Sequence, residues 1–205
     1  MKVPDMDIVF ATNNENKTRE IRNILDNYCN LLSLNDLNIN EDIPENEPTL
    51  EGNALHKARY VYNILNMNVF ADDTGLEVDF LDGLPGVKSA RFAGENKDSD
   101  ANIDKLLSMM GNSKNRKARF RTVIALIMEG KEYIFEGTVN GIIISARRGA
   151  DGFGYDPVFV PEGYARTFAE MPLAEKNKIS HRARAIEKLR LFLDGYYSPQ
   201  KKETN

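Results

Sequence analysis

Two adjacent carboxylates, Asp72 and Asp73, follow a short apolar run in the segment Val69–Val78, VFADDTGLEV. We interpret the run as a buried strand that ends at the two acids, with Thr74 and Gly75 making a bend before a second apolar run. Ligands in open α/β sheets bind where strands end. Two acids at such a position need a compensating cation, donor or water, and hard cations such as Mg²⁺ prefer oxygen ligands of this kind. The alternative is an Asp-rich turn in which Asp72 only caps the backbone.

The composition suits one compact domain or two closely joined lobes, because the chain has 205 residues of which 41% are hydrophobic. A net charge of -4 implies no large basic surface for duplex nucleic acid, so we expect no nucleic-acid partner. The single cysteine, Cys29, excludes an intrachain disulfide and favours a reducing, cytoplasmic compartment. The longest apolar run, residues 123–128, is too short to span a bilayer, and we expect no membrane partner.

The first strand–helix junction has the pattern of an anion-binding site. Residues 6–11 predict a buried strand, residues 12–16 are turn and capping types, and an amphipathic helix follows. Such a junction points backbone N–H groups and a positive dipole end at an anion, which Lys17 could also reach. The spacing of a Walker loop is absent. The alternative is a helix cap followed by a solvated lysine.

The remaining strands predict a mixed sheet. Residues 31–34 form one short β-type run, and residues 118–128 and 133–145 form two long ones that read as an antiparallel hairpin. Because strand–helix–strand patterns precede the hairpin, the sheet should contain both parallel and antiparallel pairs. The acidic segment 35–47, with Glu45 within it, reads as a loop, and a charge run of this kind is usually solvated surface.

Two further helices are predicted between these strands. Thr49 is the expected N-cap of the first, and its apolar residues recur at helical spacing. Asn53 and Lys57 lie four residues apart in it and therefore share a face beside the apolar stripe. Residues 98–110 predict the second helix.

Two glycine-containing loops follow the acid pair. In residues 80–94, Arg91 could contact a substrate or hold the loop in place, and we favour the second role. Residues 147–156, RRGADGFGYD, combine flexible backbone with two aromatic rings that could stack on a planar group. The alternative for this second loop is a mobile surface segment.

The last helix should begin after Ser180, a good N-cap. His181 and Arg182 fall in its first turn, where cations are unfavourable beside the helix dipole unless an anion joins them. This mismatch suggests a binding site.

Six segments, taken in order, resemble the inosine/xanthosine triphosphate pyrophosphatase family, whose members clear non-standard purine nucleotides. The segments are ATNNENKTREI, TLEGNALHKA, ADDTGLEV, LPGVKSARFAG, GFGYDPVF and EKNKISHRARA. They extend from residue 8 to about residue 193. One segment alone would be weak, but six in family order are specific.

The resemblance implies an α/β fold with a long curved mixed sheet flanked by helices, and two lobes with a substrate cleft between them. It implies one two-lobed domain over residues 1–194. The residues from Gly195 onward are mostly polar and predict a frayed C-terminal tail at 195–205. Family members are usually homodimers. Asn13 stands where many relatives have Gly, and Asn tolerates a left-handed backbone better than most residues.

The resemblance also implies residue roles. Glu45 and Asp73 would bind Mg²⁺, and Asp73 would accept the proton of the attacking water. The triphosphate would lie against residues 12–17, the base in a pocket at residues 153–156, and the last helix would complete both sets of contacts. The implied substrate-binding residues are Thr12, Asn13, Asn14, Glu15, Asn16, Lys17, Thr74, Phe153, Gly154, Tyr155, Asp156, Lys176, His181 and Arg182.

The implied activity is Mg²⁺-dependent hydrolysis of ITP, dITP and XTP to the monophosphate and pyrophosphate. Such chemistry needs a metal to neutralise developing charge, a positioned water and fixed cations around the leaving pyrophosphate. We assign metal binding and proton transfer to Asp73, and a supporting role to Asp72. The alternatives are a related pyrophosphatase with another base preference and a nucleotide sensor without catalysis.

Overall fold

A curved mixed sheet of seven strands forms the centre of this computed structural model, which describes residues 6–25, 28–39, 41 and 43–197. The strands are β1 (Asp7–Phe10), β2 (Asn30–Ser33), β3 (Val69–Val78), β4 (Pro85–Gly86), β5 (Lys117–Met128), β6 (Lys131–Ile143) and β7 (Phe159–Pro161). Their order is β2-β1-β3-β5-β6-β7, and β4 pairs with β3. β1 is parallel to β2 and β3, whereas β5 is antiparallel to β3 and β6. The predicted mixed sheet and hairpin are confirmed.

The α-helices of the described residues are α1 (Glu15–Leu25), α2 (Leu50–Leu65), α3 (Ser99–Met110), α4 (Leu173–Ile179) and α5 (His181–Tyr197). Thr49 and Ser180 cap α2 and α5 as predicted, because each side chain accepts a hydrogen bond from a first-turn backbone N–H, at 3.0 and 3.1 Å. α5 continues through Tyr197, and residues 198–205 lie outside the described part of the chain.

β3 runs without interruption through both acids. All ten of its residues pair with β5 in one antiparallel ladder. The predicted strand end at Asp72 and Asp73 and the bend at Thr74 and Gly75 are therefore wrong, and so is the alternative of an Asp-rich turn. The two acids lie in the middle of a buried strand.

Gly75 and Thr74 have roles within the sheet. A Cβ atom on Gly75 would lie 2.6 Å from the carbonyl oxygen of Gly86, so only glycine lets β4 approach β3 this closely. The Thr74 hydroxyl lies 2.7 Å from that of Thr122, the residue opposite on β5. The contacts of β3 with its neighbouring strands therefore require the same residue types, Gly and Thr, that are common in a bend.

Alternate residues of the central strands face two different helix layers, because side chains alternate across a strand. One core packs the sheet against α1 and α5 and includes Ile8, Phe10, Ile21, Leu25, Phe70, Ile124, Ile186 and Leu189. The opposite core packs it against α2 and includes Val9, Ala11, Ala54, Ala58, Val69, Ala71 and Val123. A third core joins α3 to the far end of the sheet and includes Leu76, Ile103, Leu106, Phe120, Val139, Phe159 and Phe168. The protein is therefore two-lobed, with a cleft between the lobes.

Candidate active site

A cavity of about 410 Å³ lies in the cleft. Its size is in the range of small-molecule sites. Most of the predicted site residues line it, namely Thr12, Asn13, Asn14, Lys17, Glu45, Asp73, Thr74, Phe153, Gly154, Tyr155, Asp156, Lys176, His181 and Arg182. The predicted residues Glu15 and Asn16 lie at the start of α1 and do not line it. The structure thus brings the segments together, and the individual roles stay predictions.

Asp72 faces α1 and α5, where two cations hold it. Lys17 Nζ lies 2.9 Å from its Oδ1, and Arg182 Nε lies 3.3 Å from its Oδ2. Burial raises the pKa of this carboxyl, but Lys17 and Arg182 outweigh burial and hold the pKa below its usual range. Asp72 is therefore a fixed anion that orients Lys17 and Arg182.

Asp73 faces the opposite way, towards α2. Asn53 Nδ2 donates a 3.0 Å hydrogen bond to its Oδ2, and the Thr74 backbone N–H donates to its Oδ1 at 3.0 Å. Lys57 Nζ is more distant, at 3.8 Å from Oδ1. Burial dominates, so the pKa of Asp73 is raised even though Lys57 acts against burial. The pKa values of the two neighbouring acids are therefore shifted in opposite directions, and Asp73 is the one better suited to accept a proton.

Glu45 is held at the edge of the cavity by two cations. Lys57 Nζ lies 2.5 Å from its Oε1, and Arg91 Nη1 lies 3.0 Å from its Oε2. Burial opposes ionisation, but Lys57 is the main cause that lowers the pKa of Glu45 to about 2. Lys57 therefore contacts Glu45 and also lies near Asp73. It thereby connects the two predicted metal ligands.

The donor set of Glu45 and Asp73 fits a divalent cation that is shared with a phosphate. Among the described residues, no three His, Cys, Asp or Glu side chains form a metal cluster. Mg²⁺ seldom needs such a cluster, because it is usually held by one or two carboxylates together with substrate phosphates and water. Two carboxylates lining the same cavity meet that requirement.

The N-terminus of α1 is capped by its own asparagine. Asn14 Oδ1 accepts hydrogen bonds from the backbone N–H groups of Asn16 and Lys17, at 3.1 and 3.2 Å. Asn13 has no positive φ, and its side chain donates to the carbonyl oxygen of Glu41 at 3.0 Å. The backbone at Asn13 is therefore not left-handed, and this position does not need the conformational freedom of a glycine.

A buried ion cluster connects α1, α4 and α5 behind the cavity. Glu20, which is 3% exposed, accepts a 2.7 Å hydrogen bond from Lys176 and also pairs with Arg182. Lys176 further contacts Asp156 at 2.6 Å. Sequence reasoning missed Glu20, although it lies three residues after Lys17, at the spacing of helix neighbours. Its partners are distant in the chain, so local pattern could not supply them.

The other end of the cavity is aromatic. His181 stacks on Phe120 with ring centroids 4.5 Å apart, and Lys176 Nζ lies 4.9 Å from the centre of the Phe153 ring. The Tyr155 hydroxyl donates to the carbonyl oxygen of Ser89 at 2.9 Å, which fixes that ring.

His181 is buried and neutral. Burial, followed by the charges of Arg182 and Lys176, lowers its pKa well below the usual value. Its Nδ1 atom has no hydrogen-bond partner among the described residues. Because a buried polar atom without a partner is costly, this nitrogen is a candidate contact for a polar ligand in the cavity.

The Ham1 family profile matches residues 8–192. The chain belongs to the Ham1 family. Curated relatives include a dITP/XTP pyrophosphatase of Flavobacterium johnsoniae, 53% identical over 90% of this chain and 96% of the relative. A dITP/XTP pyrophosphatase of Porphyromonas gingivalis is 52% identical over 91% of this chain and 96% of the relative.

Solved Ham1 structures share the fold. The Staphylococcus aureus Ham1 protein superposes with a TM-score of 0.84 at 41% identity, covering 93% of this chain and 99% of that one. A HAM1 protein from Coxiella burnetii gives a TM-score of 0.85 at 34% identity, covering 93% and 100%. Within the described residues, no helix is both long and apolar enough to cross a membrane.

Proposed function

We propose that this protein hydrolyses non-canonical purine nucleoside triphosphates, namely ITP, dITP and XTP, to the monophosphate and pyrophosphate. The observation that carries the proposal is one cavity with two chemically different ends. A carboxylate and lysine group lies at one end, and an aromatic pocket with buried cations lies at the other. A nucleoside triphosphate needs both, and curated relatives are named dITP/XTP pyrophosphatases.

The aromatic end is suited to a 6-oxo purine. Phe153 offers a ring face on which a base can stack, and Arg182 provides hydrogen-bond donors nearby. A 6-oxo group accepts hydrogen bonds, whereas the 6-amino group of adenine donates them. A site built from donors therefore penalises adenine, because a buried donor would be left facing another donor.

The carboxylate end is suited to phosphate hydrolysis. Glu45 and Asp73 would hold Mg²⁺, which when bound neutralises charge on the phosphate oxygens. Asp73 accepts the proton of the attacking water, because it lines the cavity and Asn53 fixes its Oδ2. Lys17 and Lys57 supply fixed positive charge beside the leaving pyrophosphate.

The wider context of the enzyme is also a proposal. We infer one two-lobed domain over residues 1–194, a homodimeric assembly and a cytoplasmic location, as expected from the family resemblance and from cysteine usage. Size measurement in solution tests the assembly.

Product analysis tests the function. ITP incubated with the protein and Mg²⁺ should give IMP and pyrophosphate, and ATP should stay largely intact under the same conditions. Formation of IDP and orthophosphate would refute the proposal. Faster turnover of dUTP or dTTP than of ITP would indicate another base preference, and tight ITP binding without pyrophosphate release would indicate a sensor.

A further inference from the structure

Arg91 links two loops beside the cavity. Its Nη1 lies 3.0 Å from Glu45 in the loop before α2, and its Nε lies 3.3 Å from Glu95 in its own loop. Its neighbours Ser89 and Ala90 line the cavity, but Arg91 does not. Arg91 therefore contacts the wall of the cavity through Glu45, which lines it.

The backbone around Arg91 is fixed by α3. The buried Asn102 accepts a 2.6 Å hydrogen bond from the N–H of Ala93 and donates one of 2.9 Å to the carbonyl of Ala90. Both ends of the short segment are thereby held. The guanidinium can change partner while the loop stays in place.

Both carboxylate oxygens of Glu45 are engaged by cations, so a metal ion that binds Glu45 is repelled by two positive charges, and release of one of them relieves that repulsion. Lys57 is 7% exposed and is also attracted to Asp73, which makes its release costly. Arg91 is the easier group to release, because it keeps its contact with Glu95, whose side chain is 88% exposed.

We propose that Arg91 is a positioning residue that exchanges between Glu45 and Glu95 and thereby controls the access of a divalent cation to Glu45. This inference rests on the proposed function, in which Glu45 is a metal ligand. Before a metal binds, Arg91 holds Glu45 in an ion pair. When the metal takes Glu45, Arg91 remains paired with Glu95 alone. Free metal therefore binds against competition from Arg91, and phosphate ligands of an incoming nucleotide offset that competition.

Two substitutions should change metal affinity in opposite directions. We would titrate the full-length protein with Mn²⁺, without nucleotide, and follow free Mn²⁺ by electron paramagnetic resonance. Arg91→Met removes the competitor and should tighten Mn²⁺ binding about two- to fivefold, the range expected for a partly exposed ion pair. Glu95→Gln removes the alternative partner, so Arg91 stays on Glu45 and Mn²⁺ binding should weaken.

Two controls separate this exchange from general charge effects. Arg119→Met removes an arginine whose partner is Glu77, at 2.5 Å, and should leave Mn²⁺ affinity unchanged. Glu45→Gln should remove most Mn²⁺ binding, which places the metal at this site.

Specific outcomes overturn the inference. Unchanged or weaker Mn²⁺ binding by Arg91→Met would do so, as would an equal shift in Arg119→Met or full binding by Glu45→Gln. Unchanged or tighter binding by Glu95→Gln also contradicts it, and this exposed position tests the inference even if Arg91→Met fails to fold. Failure of the proposed function would appear separately, as wild-type products other than IMP and pyrophosphate.

Discussion

Glu20→Gln tests whether the buried ion cluster stabilises the fold. The substitution keeps the shape of the side chain and removes one negative charge. In the wild type, Lys176 lies 2.7 Å from Glu20, and Arg182 pairs with its other oxygen. After the substitution, Lys176 still has Asp156 at 2.6 Å and Arg182 still has Asp72 at 3.3 Å. The variant thus leaves one buried positive charge in excess, but no cation entirely alone.

The expected loss of stability follows from this arrangement. Removing one partner of a buried ion pair costs about 3–5 kcal/mol. Because both cations keep a second carboxylate, we expect the lower end, about 3 kcal/mol, which for a chain of this size lowers the melting temperature by about 6–12 °C.

Urea and thermal denaturation measure the effect, with Glu187→Gln as the matched control. Glu187 lies on the exposed side of α5, and its pair with Arg190, at 2.6 Å, should contribute about 0.2–1 kcal/mol at most. A loss below about 1 kcal/mol in Glu20→Gln, equal to that of the control, would refute the reasoning.

The pH dependence of the same variant provides a second check. Burial opposes ionisation of Glu20, but Arg182 and Lys176 outweigh burial and lower its pKa from 4.5. The stability that this carboxylate contributes is therefore present above its unfolded pKa and is lost as pH falls below it. The gap between wild type and Glu20→Gln should shrink on acidification, and a widening gap would contradict the assignment.

Three further predictions follow from the strand and the cavity. Asp73→Asn should keep the fold, by circular dichroism, and lower kcat for ITP by at least about 10²-fold; near-normal turnover would contradict the catalytic assignment. Gly75→Ala should destabilise the protein by about 1–3 kcal/mol in urea melts, because its Cβ would lie 2.6 Å from a β4 carbonyl oxygen, and an unchanged midpoint would show that β4 moves freely. His181 is neutral when folded but takes up a proton below pH 6.5 when unfolded, so wild type should lose about 1.4 kcal/mol from this group by about pH 5.5. In His181→Phe this loss of unfolding free energy between pH 6.5 and about pH 5.5 should be absent. An equal loss in both proteins would contradict the neutral state of folded His181.

The fold was predictable where its signals are local. The caps Thr49 and Ser180 and the hairpin of β5 and β6 each depend on residues near one another in the chain, and each was confirmed. β3 was predicted wrongly because Gly75 packs against the backbone of β4 and Thr74 contacts Thr122 on β5, 48 positions away, and neither contact is visible in the local sequence pattern. A residue type that permits a bend also permits a close approach between strands.

The candidate site was predictable in its segments but not in its contacts. The six segments named most of the residues that line the cavity. The link between Lys176 and Glu20 spans 156 positions, so it can be seen only in three dimensions. The same holds for Arg91, whose partner Glu45 lies 46 positions away. Helical spacing placed Asn53 and Lys57 on one face, but gave no reason to direct that face at Asp73.

The alternation of side chains along β3 means that the pairing register of this strand fixes the chemistry of its two acids. Asp72 and Asp73 differ only in which side of the sheet they face, and the ten-pair ladder with β5 decides that side. A one-residue slip would exchange their neighbours, placing Asp72 beside Lys57 and Asp73 beside Arg182. Insertions and deletions within β3 should therefore abolish activity even where the sheet still forms, whereas point substitutions elsewhere on the strand leave the identity of the proton acceptor intact.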